Sequence, residues 1–299
     1  KLEWMDEPWR DVDAAGEWLL QIARATDPDV VHLNGYSHAA LEWNAPVIVV
    51  AHSCVVSWWR AVKGEDAPSQ YDEYRRRVRA GLDAADQIIA PTSAMLSSLN
   101  ENYDIEVNGR VIRNGRNHSA FSPAQKLPQI FTAGRVWDEA KNTILLNEIA
   151  PRVSWPIRMA GEDRHPNGSR AALRNVDWLG VLSTAELARH VAQTAIYVSP
   201  ARYEPFGLAV LEAALCSCAL VLSDIPTFRE LWDGAAVFVA ADDNEGFVVA
   251  LNNLINDTPR REELGLRARE RALGFTVERM ANGYREAYAH IIQQREVAA

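Results

Sequence analysis

The feature that most constrains the fold is the regular alternation of short apolar runs with helical stretches along almost the whole chain. The runs are apolar at nearly every position, as in PVIVVA at 46–51 and AIYVS at 195–199. Strands of this kind are buried on both faces, which is typical of parallel sheets whose connections are helices. The sequence therefore predicts an α/β protein. The predicted strands are Asp29–Leu33, Pro46–Ala51, Gln87–Ala90, Arg110–Ile112, Gln129–Ala133, Ile157–Ala160, Ala195–Ser199, Ala219–Ser223 and Ala236–Val239.

The chain length and the position of a polar stretch with glycine and proline indicate two domains and a C-terminal helix. A chain of 299 residues is long for a single core. The alternation pauses at 113–128, a polar stretch that contains one glycine and two prolines and is typical of a linker. We therefore predict a first domain over 1–118, a second over 119–275, and a segment over 276–299 whose apolar residues recur at helical spacing. That helix needs a partner for its apolar stripe, and we expect it to pack back on the first domain.

Composition excludes several classes of protein. The net charge of −9 argues against a general nucleic-acid binder. Three cysteines in apolar stretches indicate reduced thiols in a cytoplasmic protein. No apolar run reaches the length of about 18 residues that suggests a membrane-spanning helix, which leaves peripheral membrane contact open. The chain begins with neither methionine nor a strand, so we expect its natural N-terminus to be missing.

The first candidate site lies at 203–213 (YEPFGLAVLEA), where a predicted strand leads into a predicted helix that begins at Phe206. In parallel sheets, ligands bind outside the carboxyl ends of the strands. The amides of Phe206, Gly207 and Leu208 would lie at the helix N-terminus, which suits an anion. Glu204 and Glu212 could accept hydrogen bonds from two sets of hydroxyls on one elongated ligand. A capping glutamate and a surface glutamate are the alternative interpretation.

The second candidate site is TAGRVWDEAKN at 132–142. Gly134 turns the chain after a strand, and Arg135 and Lys141 flank the start of the next helix. A planar guanidinium and a compact ammonium together suit a diphosphate. The alternative is a surface ion pair with Asp138 or Glu139.

Taken together, these two elements resemble the GT-B glycosyltransferases of the retaining family 4 type. Three further pieces match that family: MAGED at 159–163, VDWLGVLSTAELA at 176–188 and SDIPTFREL at 223–231. The resemblance runs from about residue 29 to the end and implies two Rossmann-like parallel-sheet domains facing a cleft, with a C-terminal helix crossing back to the first. It implies transfer of a sugar from a nucleotide-diphosphate sugar, with retention, to a carbohydrate, lipid-linked or small-molecule acceptor. Two alternatives stay open: a nucleotide-sugar-binding protein without transferase activity, and a GT-B phosphorylase or epimerase.

The resemblance also implies roles for individual residues. Glu204 would contact the donor sugar, Glu212 the nucleotide ribose, and the amides of 206–208 the sugar-phosphate. Arg135 and Lys141 would stabilise the leaving diphosphate beside Gly134, without a metal ion or other cofactor. The residues expected near the nucleobase are Gly161, Trp178, Gly180, Val181 and Leu182.

The first domain would bind the acceptor. His52 follows a predicted strand at the point where the family commonly has a histidine, and we assign it a catalytic role together with Glu204, Arg135 and Lys141. The other residues expected on the acceptor side are Asn34, Gly35, Tyr36 and Ser53.

The chain also departs from the family pattern. The glycine-rich loop that follows the first strand in the family is absent, and Ser217 stands where the family usually has glycine. Pro226 and Thr227 replace the usual pair of glycines ahead of Glu230.

Overall fold

The structure, a computed structural model, describes residues 1–165 and 168–298. The described residues divide into two compact units. The first unit comprises Lys1–Arg113 and the C-terminal segment from Glu278, and the second comprises Asn114–Val277. The first boundary lies before the predicted position 118/119, because Arg116 already pairs its backbone with Thr276 of the second unit.

The first unit is a parallel four-stranded sheet with helices between its strands. The strands, in sheet order, are β1 (Val31–Leu33), β2 (Val47–Val50), β3 (Gln87–Ala90) and β4 (Gly109–Val111). The helices are α1 (Trp9–Thr26), α2 (Val55–Lys63), α3 (Asp72–Ala84) and α4 (Ser93–Tyr103).

Both faces of the first sheet are buried at its central strands, as the uniformly apolar strand β2 predicts. Successive side chains of a strand point to opposite faces. Val47 and Val49 accordingly pack in one cluster with residues of α2, α3 and α4. Ile48 and Val50 pack on the other face against the last helix, α11 (Val277–Ala298). The expected return of this helix to the first domain is therefore confirmed.

The second unit is a parallel six-stranded sheet in the order β10-β9-β8-β5-β6-β7. Its strands are β5 (Leu127–Ala133), β6 (Ile157–Ala160), β7 (Asp177–Trp178), β8 (Thr194–Ser199), β9 (Ala219–Ser223) and β10 (Ala236–Val239). The strand order runs outward in both directions from the neighbouring pair β5 and β8. This pair is therefore the topological switch point, outside whose carboxyl ends ligands of open α/β sheets bind.

Helices cover both faces of the second sheet. They are α5 (Thr143–Ile149), α6 (Thr184–Gln193), α7 (Leu208–Leu215), α8 (Pro226–Trp232), α9 (Asn244–Asn256) and α10 (Thr258–Ala272). One core contains Phe131 and Tyr197 with residues of α7, and the other contains Ile130 and Ile196 with residues of α5 and α9.

The sequence prediction of two parallel α/β domains is confirmed, and every predicted strand forms within two residues of its expected ends. Among the strands and α-helices of the described residues, three were not predicted. β7 spans only two residues, α8 is a seven-residue helix that starts at Pro226, and α2 is rich in valine and tryptophan, which favour strands. In the part of the chain that the structure describes, no helix is both long and apolar enough to cross a membrane.

Candidate functional site

The two candidate sequence elements lie at the switch point of the second sheet. β5 ends at Ala133 and leads into Gly134 and Arg135, whereas β8 ends at Ser199 and leads into the loop that contains Glu204. Because β5 and β8 are neighbours, the loops that follow them emerge side by side, although they are far apart in the sequence. The tertiary structure therefore assembles one site from the two motifs.

Hydrogen bonds from side chains and backbone hold the loops after β5 and β8 together. Lys141 Nζ donates to Glu204 Oε2 at 2.5 Å, and both side chains are largely buried. The amide of Arg202 donates to the carbonyl of Ala140 at 2.8 Å. The buried Asn142 donates through its Nδ2 to the carbonyl of Pro200 at 3.1 Å. The site therefore presents a paired lysine and glutamate on loops that are fixed to each other.

Arg135 projects from the same edge of the sheet and is held at one end. Its guanidinium donates to Asp138 Oδ2 at 2.7 Å and lies over the ring of Trp137, 5.4 Å from the centroid. The Asp138 carboxylate is buried, but most of the Arg135 side chain is exposed. The expected alternative of an ion pair with Asp138 is thus present. Five donors of a guanidinium exceed what one carboxylate accepts, so the fork keeps capacity for an anion.

Helix α7 begins at Leu208, two residues later than predicted. Gly207 precedes it with φ of +89°, a conformation that side-chain-bearing residues rarely adopt and that interrupts the helix. The first bond of the helix runs from the Leu211 amide to the Gly207 carbonyl at 3.0 Å. The amides at the helix N-terminus are therefore those from Leu208 onward rather than those from Phe206. The Phe206 ring instead packs edge-on against Phe275 in the core, 5.8 Å between centroids.

Glu212 lies about one helical turn beyond Leu208 and is almost fully buried, with 4% of its side chain exposed. Its Oε1 accepts a hydrogen bond from Arg116 Nε at 2.6 Å. Burial raises the pKa of this carboxyl group, and the charge of the Arg116 guanidinium opposes that rise. The alternative interpretation of Glu212 as an exposed helix-surface glutamate is therefore wrong.

Glycines allow the turns around the expected nucleobase residues to approach each other. Gly161 has φ of +133°, and a Cβ built there would lie 1.7 Å from the carbonyl oxygen of Gly134. Its amide donates to the carbonyl of Gly180 at 2.8 Å, and Trp178 Nε1 donates to the Gly161 carbonyl at 3.1 Å. Gly134, Gly161, Trp178 and Gly180 therefore form one contiguous group. Of the two remaining expected residues, Val181 is exposed and Leu182 is half-buried against the core.

Tyr197 lies beneath this edge, on β8. Its fully buried hydroxyl is 3.3 Å from both the amide and the carbonyl of Ala133, immediately before Gly134. Burial raises the pKa of this phenol above its usual range, and the charges of Glu212 and Glu204 raise it further. Tyr197 therefore stays a neutral donor and supports the turn that carries Arg135.

In the first unit, the expected acceptor-side residues are also brought together. His52 Nε2 is 2.8 Å from Asn34 Oδ1, and the Tyr36 hydroxyl donates to the carbonyl of Ser53 at 2.9 Å. Tyr36 is buried, so its side chain joins the loops after β1 and β2 rather than lining an open surface. Glu3 accepts from the Tyr36 amide at 3.0 Å and lies against Gly35.

His52 has a second histidine close by. His32 Nδ1 is 2.6 Å from the hydroxyl of Tyr288 on α11, and its ring stacks on Tyr284. Burial lowers the pKa of His52, and the positive charge of a protonated His32 lowers it further. Burial likewise lowers the pKa of His32, opposed by its hydrogen bond with Asn34. Both imidazoles therefore favour the neutral form.

The structure adds three residues of the second unit that the sequence did not indicate as part of the candidate site: Arg116, Asn142 and Tyr197. Arg116 lies 96 positions from Glu212, and no local pattern reports so distant a pair. Asn142 directly follows Lys141 and has φ of +51°, which asparagine tolerates better than most residues. In the described ranges, no group of three or more histidine, cysteine, aspartate or glutamate side chains is placed to hold a metal ion.

Two family models match this chain. The model described as Glycosyltransferase Family 4 matches residues 3–120, and the model described as Glycosyl transferases group 1 matches residues 127–257. Among curated proteins, the chain is 25% identical over 273 residues to an alpha-maltose-1-phosphate synthase of Mycolicibacterium smegmatis, covering 79% of this chain and 70% of that protein. It is 30% identical over 147 residues to a D-inositol 3-phosphate glycosyltransferase of Kineococcus radiotolerans, covering 44% of this chain and 34% of that protein.

Solved structures show the same fold at lower sequence identity. Sucrose-phosphate synthase from Thermosynechococcus elongatus superposes with a TM-score of 0.84 at 19% identity, covering 98% of this chain and 80% of that one. The Anabaena protein HepE in complex with UDP-glucose superposes with a TM-score of 0.75 at 14% identity, covering 95% and 84%. Because one family model matches the first unit and the other the second, the chain belongs to the family 4 (group 1) glycosyltransferases, built from two parallel α/β units of the GT-B type.

Proposed function

We propose that this glycosyltransferase transfers a sugar from a nucleotide-diphosphate sugar to an acceptor with retention of the anomeric configuration. The observation that carries the proposal is the cluster at the switch point of the second sheet. It combines the ion pair of Lys141 and Glu204, the exposed guanidinium of Arg135 and the buried carboxylate of Glu212. Cations suit the diphosphate and carboxylates suit hydroxyls, so the four groups fit the two ends of such a donor.

The chemistry follows from where charge develops. Breaking the bond between the sugar and the diphosphate places negative charge on the leaving phosphate, and fixed donors aimed at that charge stabilise the transition state. Arg135, Lys141 and the N-terminal amides of α7 supply such donors on one edge of the sheet. In their place other enzymes use a divalent cation, and we propose that transfer here proceeds without one.

Retention is proposed to arise from attack on the face that the leaving group vacates, with the departing phosphate accepting the proton of the acceptor hydroxyl. Glu204 already pairs with Lys141, so we assign it to binding of the sugar hydroxyls rather than to nucleophilic attack. The HepE complex with UDP-glucose gives an independent precedent for such a donor on this fold. In the first unit, Asn34, Gly35, His52 and Ser53 are proposed to contact the acceptor, and His52 to take part in catalysis.

The proposal is tested by thermal-shift titration of the wild type and of Glu212→Ala with UDP, GDP, ADP and dTDP, in the presence of EDTA. We expect one nucleotide to stabilise the wild type and to do so more weakly in Glu212→Ala. Transfer or hydrolysis assays with the matching nucleotide-sugars then distinguish a transferase from a protein that only binds. A wild type that no nucleotide stabilises would contradict the donor assignment.

A further inference from the structure

Arg116 lies where the chain enters the second unit, within the stretch that the sequence predicts as a linker. Its amide donates to the carbonyl of Phe275 at 3.0 Å, and its backbone forms a parallel bridge with Thr276. Beside it, a Cβ built at Gly115 would lie 2.2 Å from the carbonyl oxygen of Thr276. The entering and leaving segments of the second unit are therefore in direct backbone contact, which fixes the backbone of Arg116.

The side chain of Arg116 reaches from this fixed position to Glu212. Its Nε donates to Glu212 Oε1 at 2.6 Å, and a second guanidinium nitrogen contacts the same oxygen. The guanidinium also lies 5.9 Å from the centroid of the Phe121 ring. The Arg116 side chain is 39% exposed, whereas that of Glu212 is 4% exposed. The pair therefore lies at the edge of the core, with its cation towards solvent and its carboxylate inside.

The two carboxylate oxygens of Glu212 differ in their hydrogen bonding. Both contacts of Arg116 go to Oε1, and within 1–165 and 168–298 no hydrogen bond is made to Oε2. A buried carboxylate needs partners for its oxygens and a compensating charge. Arg116 meets the need of one oxygen and leaves the other able to accept from a ligand. Burial raises the pKa of both the Tyr197 phenol and the Cys216 thiol, and the charge of Glu212 raises both further, so these two groups stay neutral.

We propose that Arg116 is a positioning residue of the donor site, which supplies the counter-charge of Glu212 and turns its Oε2 towards a ribose hydroxyl of a bound nucleoside diphosphate. This inference rests on the proposed function, because it takes the ligand to be a nucleotide. It adds a residue from outside both sequence motifs, held by the segments through which the chain enters and leaves the second unit.

The test measures whether the protein distinguishes a nucleotide with a ribose from one whose sugar lacks the 2′ and 3′ hydroxyls. Binding of UDP and 2′,3′-dideoxy-UDP, with the GDP and ADP pairs in parallel, is measured by calorimetry for the wild type, Arg116→Met and Arg116→Lys. Loss of a hydrogen bond to a charged acceptor should weaken binding of the dideoxy nucleotide to the wild type by roughly 10-fold or more. The discrimination ratio is the Kd of the dideoxy nucleotide divided by the Kd of the nucleotide with its ribose hydroxyls. We expect Arg116→Met to reduce this ratio to about 1–2, because Glu212 is no longer fixed. Arg116→Lys, which keeps the charge, should restore part of it.

The matched control is Arg152→Met, which removes an arginine paired with Glu245 on the surface of the same unit. It should leave the ratio unchanged. A folded Arg116→Met that still discriminates as the wild type does would overturn the inference, because a merely structural arginine lowers stability without changing the ratio. If Arg116→Met does not fold, the same criterion applies to Arg116→Gln. Failure of the wild type to bind any of the nucleotides overturns the proposed function itself, and this outcome is distinct from equal discrimination by wild type and variant.

Discussion

Replacing Gly161 by alanine should lower the free energy of unfolding of the second unit more than replacing a glycine whose added Cβ would contact no other atom. The added Cβ would lie 1.7 Å from the Gly134 carbonyl oxygen and 2.8 Å from its carbon. Contacts shorter than 3.0 Å between a Cβ and backbone require one segment to move. The turns after β5 and β6 would have to separate, and the bond from the Gly134 amide to the Ala160 carbonyl would be strained.

Three terms add to the predicted loss of stability. The φ of +133° is strongly unfavourable for alanine and costs about 1–3 kcal/mol. Overpacking against fixed backbone adds about 1–3 kcal/mol. Weakening of one backbone hydrogen bond adds about 0.5–1.5 kcal/mol. We therefore expect Gly161→Ala to lower the free energy of unfolding of the second unit by roughly 3–7 kcal/mol.

The matched control is Gly234→Ala, because Gly234 also has a positive φ, of +77°, but a Cβ built there would have no atom within 4 Å. This variant isolates the backbone term and should cost about 1–2 kcal/mol. Both variants are compared with the wild type by urea unfolding followed by circular dichroism and tryptophan fluorescence. Equal midpoints for Gly161→Ala and Gly234→Ala would refute the reasoning, since the contact with Gly134 would then add nothing.

Two further predictions concern a turn and the pH dependence of stability. Ser217 has φ of +57° where the family usually has glycine. Because glycine adopts this conformation more readily than serine, Ser217→Gly should raise the free energy of unfolding by up to about 1 kcal/mol. Ser217→Ala should not raise it, and urea unfolding of both variants tests the prediction. Because the pKa values of His32 and His52 are lowered in the folded state, the unfolded chain binds more protons as the pH falls below about 6.5. Stability of the first unit should therefore be fully present above that pH and fall as the pH decreases through it. The effect should be shallow, since both rings are partly exposed, and it should diminish in the His32→Gln, His52→Gln double variant; an unchanged pH profile in that variant would contradict the assignment.

Much of the fold follows from local patterns. The uniformly apolar runs predict buried parallel strands, because only a sheet covered on both faces can bury residues such as Ile48 and Val49 at successive positions. The stripe of apolar residues on the last helix likewise predicts that it needs a partner. The short β7 and the helix α2 were missed, since two residues carry little periodic signal and the valines and tryptophans of α2 also favour strands.

Part of the candidate site could be predicted from the sequence, and part of it is decided only by the tertiary structure. The chemical character of Arg135, Lys141, Glu204 and Glu212, and their position after strands, could be inferred from the sequence. The order of the strands decided which of these residues meet, since β5 and β8 are neighbours although β6, β7 and the helices α5 and α6 separate them in the chain. Only the tertiary structure shows that Glu212 is buried and paired with Arg116. A contact across 96 residues depends on the packing of the whole unit, and no local sequence pattern encodes it.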